Sequence, residues 1–412
     1  MMTKNPLTIA LVSPDYPPDP KGTGIGTYTK LLANYLIERS HKVHVITRGL
    51  SIQDETHTTG NLTLHRIGVP RPDVPMEINA LKVTQLAFTS IVNEINYRRR
   101  IAKKLEHLIQ SETIQLIESA ESFAESYFYK PQKYPKIPFI VKLHTPFAVG
   151  ELFDKNLPEP IRQWVRHFER SLILKASHLT VPSYLPKVLF RKEMNLGNRP
   201  IRILPNPPPP GLADKPTSQE TAPLEVLFVG RVTAFKGVFV LAKAIPKILE
   251  RFPETCFVFV GADASNPKGG GSTIEALKAS LPESAKAKVS FTGHVKLEEV
   301  NHYYQRAAVC VFPSLFENFP YTCLEAMSYG KAIVGSKNGG MSDLLDDGTC
   351  GLLYTPPDEH ELAQKITQLL EDKILREDFG QKARKRALEH FSAERVLNFT
   401  EAFYRQALED CL

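Results

Sequence analysis

Four charged side chains set out the chemistry this chain offers. Glu317 and Glu325 stand eight positions apart at the two ends of "ENFPYTCLE", just past the apolar run "VCVFPS". Arg231 and Lys236 occupy "FVGRVTAFKGV", past a second such run. Pro320 suits the first position of a helix, where its missing N–H is not needed. The backbone N–H groups of Tyr321 and Thr322 then leave that helix's first turn unpaired, a setting that favours phosphate. Glu325 falls about one and a half turns further on, where a carboxylate can accept from vicinal hydroxyls such as those of a ribose. An arginine fork beside a lysine point charge suits a pyrophosphate. Singly, each has an ordinary reading: Arg231 as a surface arginine, the glutamates as a solvated helix end. At matching strand ends within one domain they read together as a binding set.

The elements that must position them alternate regularly. Strand-like runs fall at 7–13, 41–48, 61–68, 114–119, 137–145, 177–183 and 201–206. Helical patterns fall between them at 26–39, about 78–110 and near 158–175. The stretch 206–223, "NPPPPGLADKPTSQETAP", can continue neither helix nor central strand and reads as a linker. The alternation then restarts. Runs at 224–230, 256–261, 288–293, 309–314 and 331–336 frame helices from about 236, near 273–284, before 309 and at 320–329, and the tail from about 358 is helical. This predicts an α/β protein of two Rossmann-like, doubly wound halves facing across a cleft. The expected domains are 1–206 and 207–392. Ligands of such sheets bind beyond the carboxyl ends of the strands, so the cleft is the expected site.

Length and composition agree with a two-domain globular protein: 412 residues, 42% hydrophobic and 23% charged. The five cysteines are scattered without CxxC spacing, which suggests neither disulfide framework nor zinc site and fits a cytoplasmic protein. No apolar run approaches a membrane span. Residues 1–205 hold 28 Lys and Arg against 18 Asp and Glu, a net +10, while 206–412 hold 23 against 27, a net −4. The basic run "NYRRRIAKKLEHLI" is readable as a solvated helix face or as peripheral contact with an anionic membrane at its inner face. No nucleic-acid partner is expected.

"GRVTAFKG" together with "FENFPYTCLEAMSYGKAIVGSKNGG" resembles the retaining glycosyltransferases of family 4, which have the GT-B architecture and a two-glutamate E-x7-E signature. "HTPF" (144–147), "KASHLTVPS" before "ILPN", "VSFTGHV" (289–295) and the tail "FSAERVLNFTEAFY" keep the family's order, so the likeness spans nearly the whole chain. It implies transfer of a hexosyl unit from a nucleotide-diphosphate sugar, UDP ahead of GDP or ADP, to a sugar, polyol or lipid-linked acceptor. Arg231 and Lys236 would hold the diphosphate, with Gly230 beside them. Glu325 would bind the ribose and Glu317 the donor sugar. Asn318, Phe319, Tyr321 and Thr322 would line the donor, and His294 and Val295 the base. His144 would face the donor sugar from the other domain, and a helix at about 393–412 would pack back on the N-terminal domain. No metal and no cofactor are implied, since the two cations take the metal's electrostatic role. The chain departs from the family at Pro320, where a glycine is common, at Asp343, where a glutamate is common, and in the proline run after Asn206. Pro320, which removes a backbone N–H, and Asp343 are expected to bear on donor contacts, and the proline run only on the linker.

"KGTGIGTYTK" (21–30) nearly spells a dinucleotide fingerprint, but Thr27 stands where its last glycine belongs. The next strand also ends without an acid for a ribose, although Arg48 would suit a 2′-phosphate. The resemblance implies instead that Gly24, Ile25 and Gly26 form the acceptor-side lip of the cleft. Two further readings stay open: a hydrolysing nucleotide-sugar epimerase of similar architecture, and a catalytically silent sugar-binding partner. A glycine run at 269–271 reads as a loop or as a phosphate cradle before a helix, and His41, His44, His57 and His65 show no partner in the sequence.

Overall fold

The computed structural model describes residues 5–18, 23–69, 80–152, 159–215, 223–264 and 271–412. The N-terminal sheet comprises β1 (Thr8–Ser13), β2 (Lys42–Arg48), β3 (Glu55–Thr59), β4 (Leu62–Ile67), β5 (Leu116–Ala120), β6 (Phe139–Lys142), β7 (His178–Val181) and β8 (Ile201–Ile203). Its order is β3–β4–β2–β1–β5–β6–β7–β8. The C-terminal sheet, β9 (Glu225–Val229), β10 (Cys256–Val260), β11 (Val289–Gly293), β12 (Val309–Phe312), β13 (Ala332–Ser336) and β14 (Leu352–Tyr354), has the order β11–β10–β9–β12–β13–β14. Every pairing is parallel except β3 with β4. Parallel strands need crossovers, and helices lie on both faces, so central strands such as β1 and β9 are almost wholly buried. Each sheet thus has a core on either face.

The alternation predicts this doubly wound α/β plan. It does not predict β3, "ETHTT", whose five residues are all exposed and show no periodicity, nor the three-residue β14, nor the helix Tyr184–Glu193. The first helix begins at Gly24, two residues earlier than its apolar pattern. The loop after β12 runs through Pro320, which caps the helix Tyr321–Ser328 from outside instead of opening it.

The described part of the proline segment, up to residue 215, meets both domains. Tyr35 Oη donates to Pro208 O at 3.2 Å, and Leu212 is buried in the C-terminal core. The helices Glu359–Glu371 and Lys373–His390 cover the C-terminal sheet. The last helix, Ala393–Glu409, crosses over: Leu397, Phe403, Tyr404 and Ala407 are buried with Ile9, Leu11, Leu32 and Val43 of the N-terminal domain.

Much of the basic run is used internally. Arg98 donates to Glu94 and Phe123 O, Arg100 to Gly68 O and Asp54, and Arg99 lies over the Phe128 ring. Arg48 forks onto Glu94 at 2.7 and 2.8 Å and stacks on Tyr97, so it is not poised for a phosphate. The histidines without sequence partners find them in space. His41 accepts from Leu7 N and meets Glu401, His44 lies 3.2 Å from His65, and His57 stands 3.7 Å from Glu55. Only Gly271 of the 269–271 run lies within the described residues. Among the described residues, no helix is long and apolar enough to cross a membrane.

Candidate active site

The donor-side charges assemble at the carboxyl ends of β9 and β12. After β9, Gly230 N donates to Val260 O at 2.9 Å, and the exposed Arg231 has no side-chain hydrogen bond or ion pair to a described residue. A short 3-10 turn, Ala234–Lys236, follows, capped by Thr233, whose Oγ1 accepts from Lys236 N at 3.3 Å. Gly237 ends it with φ +71°, and a Cβ there would lie 1.8 Å from Pro313 O. Only glycine lets this turn lie against the end of β12. Lys236 Nζ consequently reaches Glu317 Oε1, which also accepts from Ser314 Oγ at 2.8 Å. Glu317 itself is fixed by its backbone, which bridges to Gly339 and accepts from Gly340 N at 2.7 Å. A diphosphate arriving here would meet one unpaired guanidinium and one ammonium held in place by a carboxylate.

Eight residues on, Glu325 lies within the helix Tyr321–Ser328. Its Oε2 is 3.0 Å from Tyr304 Oη, which lies equally close to Thr322 O. Burial pushes its carboxyl up to about 7, partly offset by the Tyr304 hydroxyl and by Lys215. Lys215 stands over the ring of Tyr329 at 5.4 Å. Cys323 N and Leu324 N return to Pro320 O, at 3.1 and 3.3 Å. The N–H groups of Tyr321 and Thr322 precede the helix's own ladder, as a phosphate site requires. Phe319 packs edge-on against Tyr321 and Phe391 in the core. His294 is exposed just after β11, and Val295 packs on the core beside it.

From the opposing domain, β6 delivers His144. Glu121, wholly buried after β5, accepts from His144 N at 2.8 Å and from Thr145 N. Burial pushes Glu121 up to about 7 against those hydrogen bonds. Burial, and secondarily Lys142, pulls His144 down to about 3, so its imidazole is neutral. Its Nε2 is buried without a hydrogen-bond partner, and its ring meets Tyr28 edge-on at 4.9 Å. Beneath it, Glu118 accepts from Tyr28 Oη at 2.5 Å and Tyr404 Oη at 2.8 Å, and Lys142 Nζ donates to Leu204 O at 2.7 Å.

The two sides meet through the signature itself. Asn318 Nδ2 donates across the cleft to Leu143 O at 3.1 Å and to His144 O. Ser183 Oγ donates to Asn318 O at 2.8 Å. Phe316 inserts into the N-terminal core beside Phe190, at 6.2 Å between centroids. Asn318 is thus occupied with the domain junction. So is Asp343, expected among the donor contacts: it accepts from Tyr184 N and caps the helix Tyr184–Glu193 from the other domain. Gly24, Ile25 and Gly26 form the first turn of a helix instead of a loop. Thr23 Oγ1 accepts from Ile25 N and Gly26 N, and Thr23 is itself held by Asp15. A Cβ on Gly26 would lie 2.7 Å from Asp15 Oδ2, whereas Gly24 faces open space.

Sequence reasoning missed Ser314, Tyr304, Asp15 and Glu121. Glu121 and Ser314 had one signal, their place at the carboxyl end of a strand. Tyr304 and Asp15 are recognised only once their elements are brought together.

Comparison with known proteins follows this layout. Residues 22–209 match the family described as Glycosyltransferase Family 4, and residues 213–386 match Glycosyl transferases group 1. An uncharacterized glycosyltransferase of Methanocaldococcus jannaschii is 23% identical over 98% of this chain and 99% of its own length. Among solved structures, the sucrose-phosphate synthase of Thermosynechococcus elongatus superposes with a TM-score of 0.72 at 21% identity, over 98% of this chain and 100% of that one. An E. coli trehalose-6-phosphate structure bound with UDP-2-fluoro glucose gives 0.69 at 14% identity, over 96% and 99%. The chain belongs to the family 4, group 1 glycosyltransferases and carries their GT-B fold.

Proposed function

We propose that the protein transfers a hexosyl unit from a UDP-sugar to a sugar, polyol or lipid-linked acceptor, without a metal and with retained anomeric configuration. The observation that carries this is the cluster of Arg231, Lys236, Glu317 and Ser314 at the carboxyl ends of β9 and β12, with Glu325 on the adjoining helix. The leaving group is a nucleoside diphosphate, so the barrier falls mainly by stabilising its growing negative charge. Arg231 and Lys236 supply two positive charges for that purpose. The N–H groups of Tyr321 and Thr322 add dipoles aimed at the same oxygens. Glu325, ionised, accepts from the ribose hydroxyls. Glu317 holds Lys236 until the donor arrives and then faces the sugar's hydroxyls. Neutral His144 lies on the acceptor side and places no charge there. A donor of this kind also fits the UDP-2-fluoro glucose held by the E. coli structure of like fold.

The test is transfer from labelled UDP-sugars, with product configuration read by NMR and activity compared with and without chelator. Arg231→Ala and Glu325→Ala should each lower transfer by about a hundredfold or more while keeping the melting temperature, the scale expected for lost charge stabilisation. Near wild-type transfer by both variants sinks the assignment.

A further inference from the structure

The acceptor side of the cleft carries an apolar surface that this chemistry leaves unused. The helix Glu159–Lys175 leads into β7, so its first turns stand at the carboxyl end of the N-terminal sheet. That end holds His144 and touches Asn318. Ile161, Trp164, Val165, Phe168 and Leu172 recur at the spacing of one helix face. Leu172 is buried in the core and Phe168 packs against it, but the stripe continues into solvent: Trp164 is 52% exposed and Ile161 49%.

Two more exposed apolar side chains lie on turns beside this helix. Leu152, 50% exposed, follows the turn Phe147–Gly150, and Phe123, 57% exposed, lies in the turn after β5. Both turns contact the helix. One buried carboxylate clips all three together: Glu169 accepts from Phe123 N at 3.3 Å and from Phe147 N at 2.6 Å. Phe123 has φ +59°, a conformation that costs a non-glycine residue about 1 kcal/mol or more. Arg98 sustains it by donating to Phe123 O at 3.1 and 2.8 Å. The chain therefore holds a large aromatic out into water beside the cleft, in a strained conformation. Scattered apolar residues are normal on a surface; four exposed ones carried by one helix and the two turns packed on it mark an interaction site. Arg162 and Arg166, paired with Glu151, give it a charged rim.

We propose that this surface receives the hydrophobic group of the acceptor, so that the acceptor is an amphiphile. Its polar head reaches His144 and its alkyl or isoprenoid chain lies on Trp164, Ile161, Leu152 and Phe123. The inference rests on the glycosyltransferase reading, in that it names the substrate class of the same cleft. A sugar alone stacks on one aromatic face; the aliphatic Ile161 and Leu152 suit a hydrocarbon chain.

Trp164 is the only tryptophan in the chain, so intrinsic fluorescence reports this patch directly. The full-length protein, with UDP present, is titrated with matched decyl and methyl glycosides below micelle-forming concentrations. The decyl compounds should shift Trp164 emission to the blue at concentrations about tenfold or more below any methyl response. Ile161→Asp should abolish that shift with the melting temperature unchanged. Equal responses to methyl and decyl glycosides overturn the proposal in favour of a sugar platform. No response to decyl overturns it outright. A blue shift that grows with protein concentration alone overturns it in favour of self-association. Failure of UDP-sugar turnover, with the decyl response intact, defeats the activity and leaves the apolar site standing.

Discussion

Glu325 is a site residue whose charge changes near neutral pH. Burial raises its carboxyl to about 7, so below that value it is neutral and offers the ribose one acceptor oxygen fewer. The donor KM should therefore fall as pH rises between about 6 and 8, and Glu325→Gln should flatten that dependence. Steady-state kinetics across this range check it. Because the folded-state value lies above the unfolded one, the folded chain favours the protonated acid. The stability contribution of Glu325 is thus full below the unfolded value and is lost as pH rises through about 7. Glu121 behaves alike, while His144, held down to about 3, acts in the opposite sense: its contribution is full above the ordinary histidine value and is lost as pH falls toward about 3. The residues legible in sequence, Glu317, Glu325, Arg231 and Lys236, were legible because their spacing is local. Tyr304 lies 21 residues from Glu325, and Glu121 lies 23 from the backbone it holds. No local pattern encodes such pairs.

At the scale of elements, the positioning device is the turn before Gly237. Alanine there must adopt a left-handed backbone and push Pro313 O away, so Gly237→Ala should cost more than about 1 kcal/mol. It should also swing Lys236 off Glu317. A lowered melting temperature with loss of transfer is expected; unaltered transfer would show that Lys236 needs no such placement. The strands were legible wherever both faces are buried, because the run is then continuously apolar. The exposed β3 was not, since an edge strand of threonine, glutamate and histidine has no hydrophobic period. The start of the first helix was missed for a related reason. Thr23 caps it only because Asp15, eight residues upstream, orients the threonine hydroxyl.

For the whole molecule, the signature loop is also the joint. Phe316 is buried in one domain, Phe319 in the other, and Asn318 binds the first domain's backbone from between them. Asn318→Ala leaves Leu143 O unpaired at the junction, while His144 O keeps the Thr145 hydroxyl, a loss of about 1–3 kcal/mol. The variant should have a larger radius of gyration by small-angle scattering and a lower kcat/KM, with UDP partly restoring compactness; an unchanged radius in both states would refute the latch. Two facing domains were foreseeable from alternation alone, but their contacts were not, because Asp343 and Asn318 read as donor ligands until the domains are seen together. The last helix carries a consequence for synthesis. Tyr404 supplies one of the two hydroxyls that Glu118 accepts, and Leu397 and Phe403 close an apolar face laid down by the first strands. The ribosome thus makes the first domain early but its closing helix only after the whole C-terminal sheet. Until then that domain exists with an open hydrophobic flank and a half-satisfied buried carboxylate, the kind of nascent surface a chaperone would hold.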